Sequence, residues 1–150
     1  RMLFCGLGDA AAVASTASQR FDRIGQPCTA PTDADQQLVH AAHLKPDDVM
    51  VAISHSGKST TILKVMEVAR ESGAAIIAIC NFPKSPIAKN ADIVLQTAVF
   101  TEDWSGEIIA KRVAELGLVE TLFANVLMRK GQAAVEALRR SNTVVRVHKT

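Results

Sequence analysis

Short, uninterrupted apolar runs alternate along the chain with longer stretches in which apolar residues recur every three or four positions. Four runs stand out: Met2–Cys5, Val49–Ile53, Ala75–Cys80 and Ile93–Gln96. A run without polar alternation is the mark of a strand buried on both faces of a parallel sheet. A short further strand is expected around Cys28, in the proline-bearing stretch from Gln26 to Thr32. The intervening segments Asp9–Ile24, Ala34–Leu44 and Ser59–Ser72 have the length of helices. In the last of these Ile62, Val65, Met66 and Ala69 share one face. Gly73 stands where a helix C-cap belongs. Ser85-Pro86 reads as an N-cap with proline at the first helical position of a short helix ending near Asn90. From Ile108 to about Leu138 the pattern predicts one long helix, loosened at Gly117 and Gly131.

This strict alternation of strand and helix predicts an α/β domain, a three-layer α/β/α sandwich around a five-stranded parallel sheet. Right-handed crossovers bring every strand-to-helix turn to one edge of such a sheet. Ligands bind at the carboxyl ends of the strands, near the point where the strand order reverses. The loops after Cys5, Ile53 and Cys80 are therefore where chemistry is expected. The long helix is apolar over more than one stripe, with Ile108, Ile109, Val113, Leu116, Val119, Leu122, Phe123, Val126 and Leu127. One sheet face needs only part of that, so the helix is expected to be shared with a second subunit in a homo-oligomer, a dimer or a tetramer.

Composition narrows the picture. The 150 residues suit a single domain (1–150), and 48% hydrophobic content supports a sizeable core. A net charge of only +2 lacks the dense basic footprint of a nucleic-acid-binding surface. The basic residues Arg139, Arg140, Arg146, His148 and Lys149 read as a solvated tail. Cys5, Cys28 and Cys80 are odd in number and show no metal-ligand spacing, which predicts a reduced, cytoplasmic setting and no metal. No apolar run approaches the ~20 residues of a membrane span, so no membrane partner is expected. Arg1 leads almost at once into a core strand, as in a fragment of a longer protein.

The loop after Ile53 is the most informative segment. Ser54, Ser56, Ser59, Thr60 and Thr61 place five hydroxyls within eight residues, with Gly57 at the turn and a helix directly following. Helix N-terminal N–H groups favour an anion, and hydroxyls add donors without filling the space. A phosphate is the natural occupant; hydroxyl-rich N-capping alone needs a single such residue. Gly57-Lys58-Ser59 ends like the nucleotide loop G-x-x-x-x-G-K-S/T, but Ala52 replaces the first glycine and lies inside the strand. Gly6-Leu7-Gly8-Asp9-Ala10-Ala11 formally matches a dinucleotide fingerprint, yet no clear acidic residue closes the second strand. No cofactor is expected. His55 is either a ligand contact or a solvated loop residue. Glu107 is either a base or a first-turn carboxylate. His40 and His43 share a helix face without a third ligand.

Ser54-His55-Ser56-Gly57-Lys58-Ser59 resembles the S-x-S-G-x-T loop of sugar isomerase (SIS) domains, and the likeness extends along nearly the whole chain. Gly6-Leu7-Gly8 is similar to the family's first turn, and Lys45-Pro46-Asp47-Asp48-Val49 to its run into the motif strand. Ser72-Gly73-Ala74 with Ile76-Ile77-Ala78-Ile79 resembles its next strand, and Ser85-Pro86-Ile87-Ala88 with Ala91-Asp92 its short helix. Ile53-Ser54-His55-Ser56-Gly57 and Arg112-Val113-Ala114-Glu115-Leu116 are most similar to the C-terminal effector domain of RpiR-type bacterial transcription regulators. The resemblance implies a flavodoxin-like SIS fold and a non-catalytic domain that senses a phosphosugar and oligomerises. DNA would be bound only through an N-terminal helix-turn-helix domain absent from this chain. It further implies that Ser54, Ser56 and Ser59 hold the phosphate with N–H groups near Gly57, while Gly6 and Gly8 approach the sugar. His55 and Ser85 would add further contacts. Two departures matter: Ala10 replaces a frequent serine, with Asp9 beside it that would repel a phosphate but suit sugar hydroxyls, and Ser59 replaces the motif's final threonine while keeping the hydroxyl. The alternatives are a phosphosugar aldose-ketose isomerase, with Glu107 and His55 as the candidate bases, and a dimerisation module with a vestigial pocket.

Overall fold

Five strands form one sheet: β1 (Met2–Cys5), β2 (Cys28–Thr29), β3 (Val49–Ile53), β4 (Ala75–Cys80) and β5 (Ile93–Gln96). The computed structural model describes the backbone of residues 1–100 and 104–148, and the side chains of these residues outside 104–108. Every strand pairing is parallel and the order is β2-β1-β3-β4-β5. Met2 lies beside Val49 and Cys5 beside Ala52, while Ile53 pairs with Ile79. The chain leaves β1 for the edge strand β2, then returns across β1 to β3. That reversal opens a crevice between the carboxyl ends of β1 and β3.

Side chains alternate across each strand, so the sheet divides the apolar residues between two cores. Leu3, Cys5, Met50, Ala52, Ile76 and Ala78 face α2 (Ala34–Ala42) and α3 (Thr60–Glu71), and Ile87 of the short α4 (Pro86–Lys89) joins them. Met2, Phe4, Val51, Ile53 and Ile79 face α1 (Asp9–Asp22), α5 (Trp104–Lys130) and α6 (Gln132–His148). The result is the three-layer sandwich. On the second face Phe21 anchors the packing, with ring centroids 5.5 Å from Phe4 and 5.6 Å, edge-on, from Phe123.

The long helical segment departs from expectation at both ends. The helix starts at Trp104, runs unbroken through Gly117 and ends at Lys130. It breaks only at Gly131, whose φ of +62° suits a residue without Cβ. Of the C-terminal residues read as a tail, Arg139, Arg140, Arg146 and His148 lie in α6, tied back by Ser141 Oγ donating to the Arg23 carbonyl at 2.9 Å, and Lys149 lies outside the described residues. Amphipathicity explains the difference. Ala134 and Leu138 face the core, while Arg139, Arg140, Arg146 and His148 remain solvated on the outer side. No helix among the described residues is long and apolar enough to cross a membrane.

Candidate functional site

The carboxyl end of β3 continues into a tight turn fastened on three sides. Ser54 N–H donates to the Ile79 carbonyl at 3.0 Å, and Gly57 N–H donates back to the Ser54 carbonyl at 3.1 Å. Ile87 N–H donates to the Gly57 carbonyl at 3.0 Å, which ties the turn to α4. Gly57 has φ +64°, and a Cβ built there would lie 2.1 Å from Ser85 Oγ. Only glycine meets both demands. Ser59 then caps α3, its Oγ accepting from Ile62 N–H at 3.3 Å and its carbonyl from Leu63 N–H at 3.0 Å. This leaves the N–H groups of Thr60 and Thr61 in the first turn of α3 without an acceptor inside the helix.

A cavity of about 410 Å³ opens over this turn, at the sheet reversal. The β1–α1 loop contributes Leu7, Asp9 and Ala10, and the β3–α3 segment contributes Ile53, Ser54, His55, Ser56, Ser59 and Ile62. The far wall comes from α5, with Lys111 and Glu115. Four of the residues expected to bind ligand, Ser54, His55, Ser56 and Ser59, are thus brought together. Gly6, Gly8, Gly57 and Ser85 are not among the residues that line the cavity. A Cβ on Gly6 would meet the Ala10 carbonyl oxygen at 2.6 Å, so that glycine permits the turn into α1. The Gly57 N–H expected in a phosphate nest is already engaged by Ser54. Ser85 lies beneath the loop, 5% exposed, where its Oγ caps α4 by accepting from Ala88 N–H at 3.3 Å. The His55 ring stands edge-on to Phe82 at 5.9 Å. A larger concavity of about 550 Å³ on the outer side of α3 gathers no such set of donors, and its Arg70 is engaged by Asp92 and the Asn90 carbonyl.

Charge enters the cavity from Asp9, which the sequence sets beside the first turn, and from Lys111 and Glu115, which sequence reading did not place there. Asp9 forms an ion pair with Arg112 and lies 3.9 Å from Lys111 Nζ, so its charge is matched by α5. Glu115 is 2% exposed and lines the cavity. Burial pushes its carboxyl up from 4.5 to about 7, against the lowering pull of Lys111 and Arg112. Gln37, fully buried, holds the first turn from behind. Its Nε2 donates to the carbonyls of Gly6 at 2.9 Å and Pro31 at 2.8 Å. Burial raises the Cys5 thiol to about 12, which leaves it an inert part of the core. The side chain of Glu107, the base considered from sequence, lies outside the described residues.

A parallel sheet with this strand order and a hydroxyl-lined turn after its third strand is the architecture of the family whose model, the SIS domain, matches residues 1–125. The chain belongs to the SIS domain family. An uncharacterized HTH-type transcriptional regulator of Caldanaerobacter subterraneus subsp. tengcongensis is 34% identical to this SIS domain over 146 residues, which is 97% of this chain and 52% of the regulator. The chain therefore spans about half the length of that relative. Among solved structures, the Vibrio vulnificus NanR protein complexed with ManNAc-6P matches with a TM-score of 0.85 at 20% identity, over 96% of this chain and 54% of NanR. The sugar isomerase domain of an RpiR transcription factor from Sphaerobacter thermophilus matches with a TM-score of 0.77 at 24% identity, over 95% and 78% of the two chains. Both share the fold of this SIS domain.

Proposed function

We propose that this SIS domain is the phosphosugar-binding effector domain of a transcription regulator that binds DNA through another part of its chain. One observation carries the reading: three serine hydroxyls and the open N-terminus of α3 converge on one cavity at the sheet reversal. The phosphate sits against Ser54, Ser56, Ser59 and the N–H groups of Thr60 and Thr61. The sugar extends toward Lys111 and Glu115 on α5. The regulator relative and the ManNAc-6P complex of NanR support the same assignment. A sensor needs unequal affinity for two conformations. Because α5 forms the cavity wall and also carries exposed Ile109, Val113 and Met128, a ligand that moves it alters a surface suited to a second subunit.

Thermal stability against a panel of phosphosugars and their unphosphorylated counterparts tests this. A ligand at a hundred times its dissociation constant adds ~2.7 kcal/mol. The shift is expected with a phosphosugar only, and Ser56→Ala is expected to abolish it. Stabilisation by unphosphorylated sugars alone counts against the phosphate loop, and no shift at all favours a dimerisation module with a vestigial pocket. A second reading, phosphosugar isomerisation, draws on Glu115, because a buried carboxyl near neutral pH suits proton transfer. Deuterium incorporation into a phosphosugar from deuterated water, lost in Glu115→Gln, is the result that favours it.

A further inference from the structure

The cavity is polarised along its length. Hydroxyl and N–H donors of the β3–α3 loop stand at one end, and the opposite wall carries Asp9 and Glu115. Glu115 is 2% exposed, and no hydrogen bond from a described residue reaches its carboxyl group. Above about pH 7, where Glu115 is ionised, a carboxylate without a donor is costly, and a ligand group that reaches it relieves the cost only by donating. Arg112 is paired with Asp9, and Lys111 lies 3.9 Å from the same carboxylate. Among the described residues two cations thus face two acidic side chains, and once Glu115 is ionised this end holds no surplus positive charge to draw a second anion.

From this juxtaposition we infer that the site selects sugar monophosphates whose end remote from the phosphate bears hydroxyl or ammonium donors. It rejects phosphorylated sugar acids and sugar bisphosphates, and Glu115 and Asp9 determine that specificity. The inference rests on the phosphosugar reading and narrows it. A second anionic group would meet Glu115 across a few ångströms of poorly solvated space. Like charges at such separations cost enough to weaken binding on the order of 100-fold.

Titration calorimetry at pH 8, where Glu115 is ionised, tests this with the 6-phosphates of glucose, mannose, fructose, glucosamine and N-acetylmannosamine, alongside 6-phosphogluconate and the 1,6-bisphosphates of glucose and fructose. A monophosphate that binds is expected to do so on the order of 100-fold more tightly than the acid or the bisphosphates. Glu115→Gln is expected to narrow that ratio to about 10-fold or less by strengthening the anionic ligands. Asp9→Asn, at an exposed position that does not endanger folding, is expected to act in the same direction. Equal or tighter binding of the acid or a bisphosphate by the unaltered protein overturns the selectivity and leaves the phosphosugar reading standing. A ratio unchanged in both variants overturns the roles of Glu115 and Asp9. Failure of every compound to bind overturns the phosphosugar reading, and the inference with it.

Discussion

Replacing Glu115 by glutamine removes one ionisable group from the cavity wall while keeping its shape. Folding raises this carboxyl from 4.5 to about 7 through loss of solvation, so the native protein holds the proton more tightly than the unfolded chain between those values. Stability linked to the neutral acid is full below pH 4.5 and is lost as pH rises through about 7. At about 1.36 kcal/mol for each tenfold change in proton affinity, the loss amounts to about 3 kcal/mol. Glutamine stays neutral throughout. The two proteins are therefore expected to be similarly stable at pH 4, and the variant more stable at pH 8 by about 3 kcal/mol. For a domain of this size that corresponds to a rise in melting temperature of roughly 6–12 °C. Urea titrations followed by circular dichroism from pH 4 to 9, without ligand, measure the difference directly. Parallel pH profiles for the two proteins would refute the assignment of Glu115 as a carboxyl whose desolvation outweighs the pull of Lys111 and Arg112.

Three further outcomes follow from the packing. Gly57→Ala forces a Cβ to within 2.1 Å of Ser85 Oγ at a φ of +64°, and is expected to lower stability by about 2 kcal/mol or more and to abolish ligand-induced stabilisation. A melting curve and a ligand titration read both effects. Gln37→Ala deprives two carbonyls, of Gly6 and Pro31, of their donor and is expected to cost about 2 kcal/mol or more in urea denaturation while weakening phosphosugar binding. Unchanged stability would count against its bracing role. Phe21→Ala empties the space between Phe4 and Phe123 and is expected to cost about 3–5 kcal/mol, measured by the same method.

Local pattern carried the fold because each buried strand had to be apolar on both faces and each helix on one. Met2–Cys5, Val49–Ile53 and Ala75–Cys80 were legible for that reason, and so was the cap at Ser85. Gly131 and Gly117 looked equivalent in sequence, yet only Gly131 breaks its helix. Backbone dihedrals, not composition, distinguish them. Asp92 stands in the sequence as a single charge just before a strand. In the fold it accepts from Ile76 N–H at 2.7 Å and from Arg70 at 3.1 Å, fastening the start of β4.

The sequence by itself determined the order of strands and helices, the parallel sheet that follows from it, and the hydroxyl-rich turn after β3. The elements and the turn arise from contacts between near neighbours, and the sheet follows from their alternation because each doubly apolar strand must be covered on both faces. Only the tertiary structure decided what meets that turn. Ser85 passes beneath Gly57 as a support, Gln37 reaches back to brace Gly6, and α5 brings Lys111 and Glu115 across from the far end of the chain. Helical periodicity marks which residues share a face, but not which residue of that face will line a cavity or lose its water. That depends on how α5 crosses the sheet edge, and in this protein the crossing places a desolvated carboxyl opposite the serine hydroxyls.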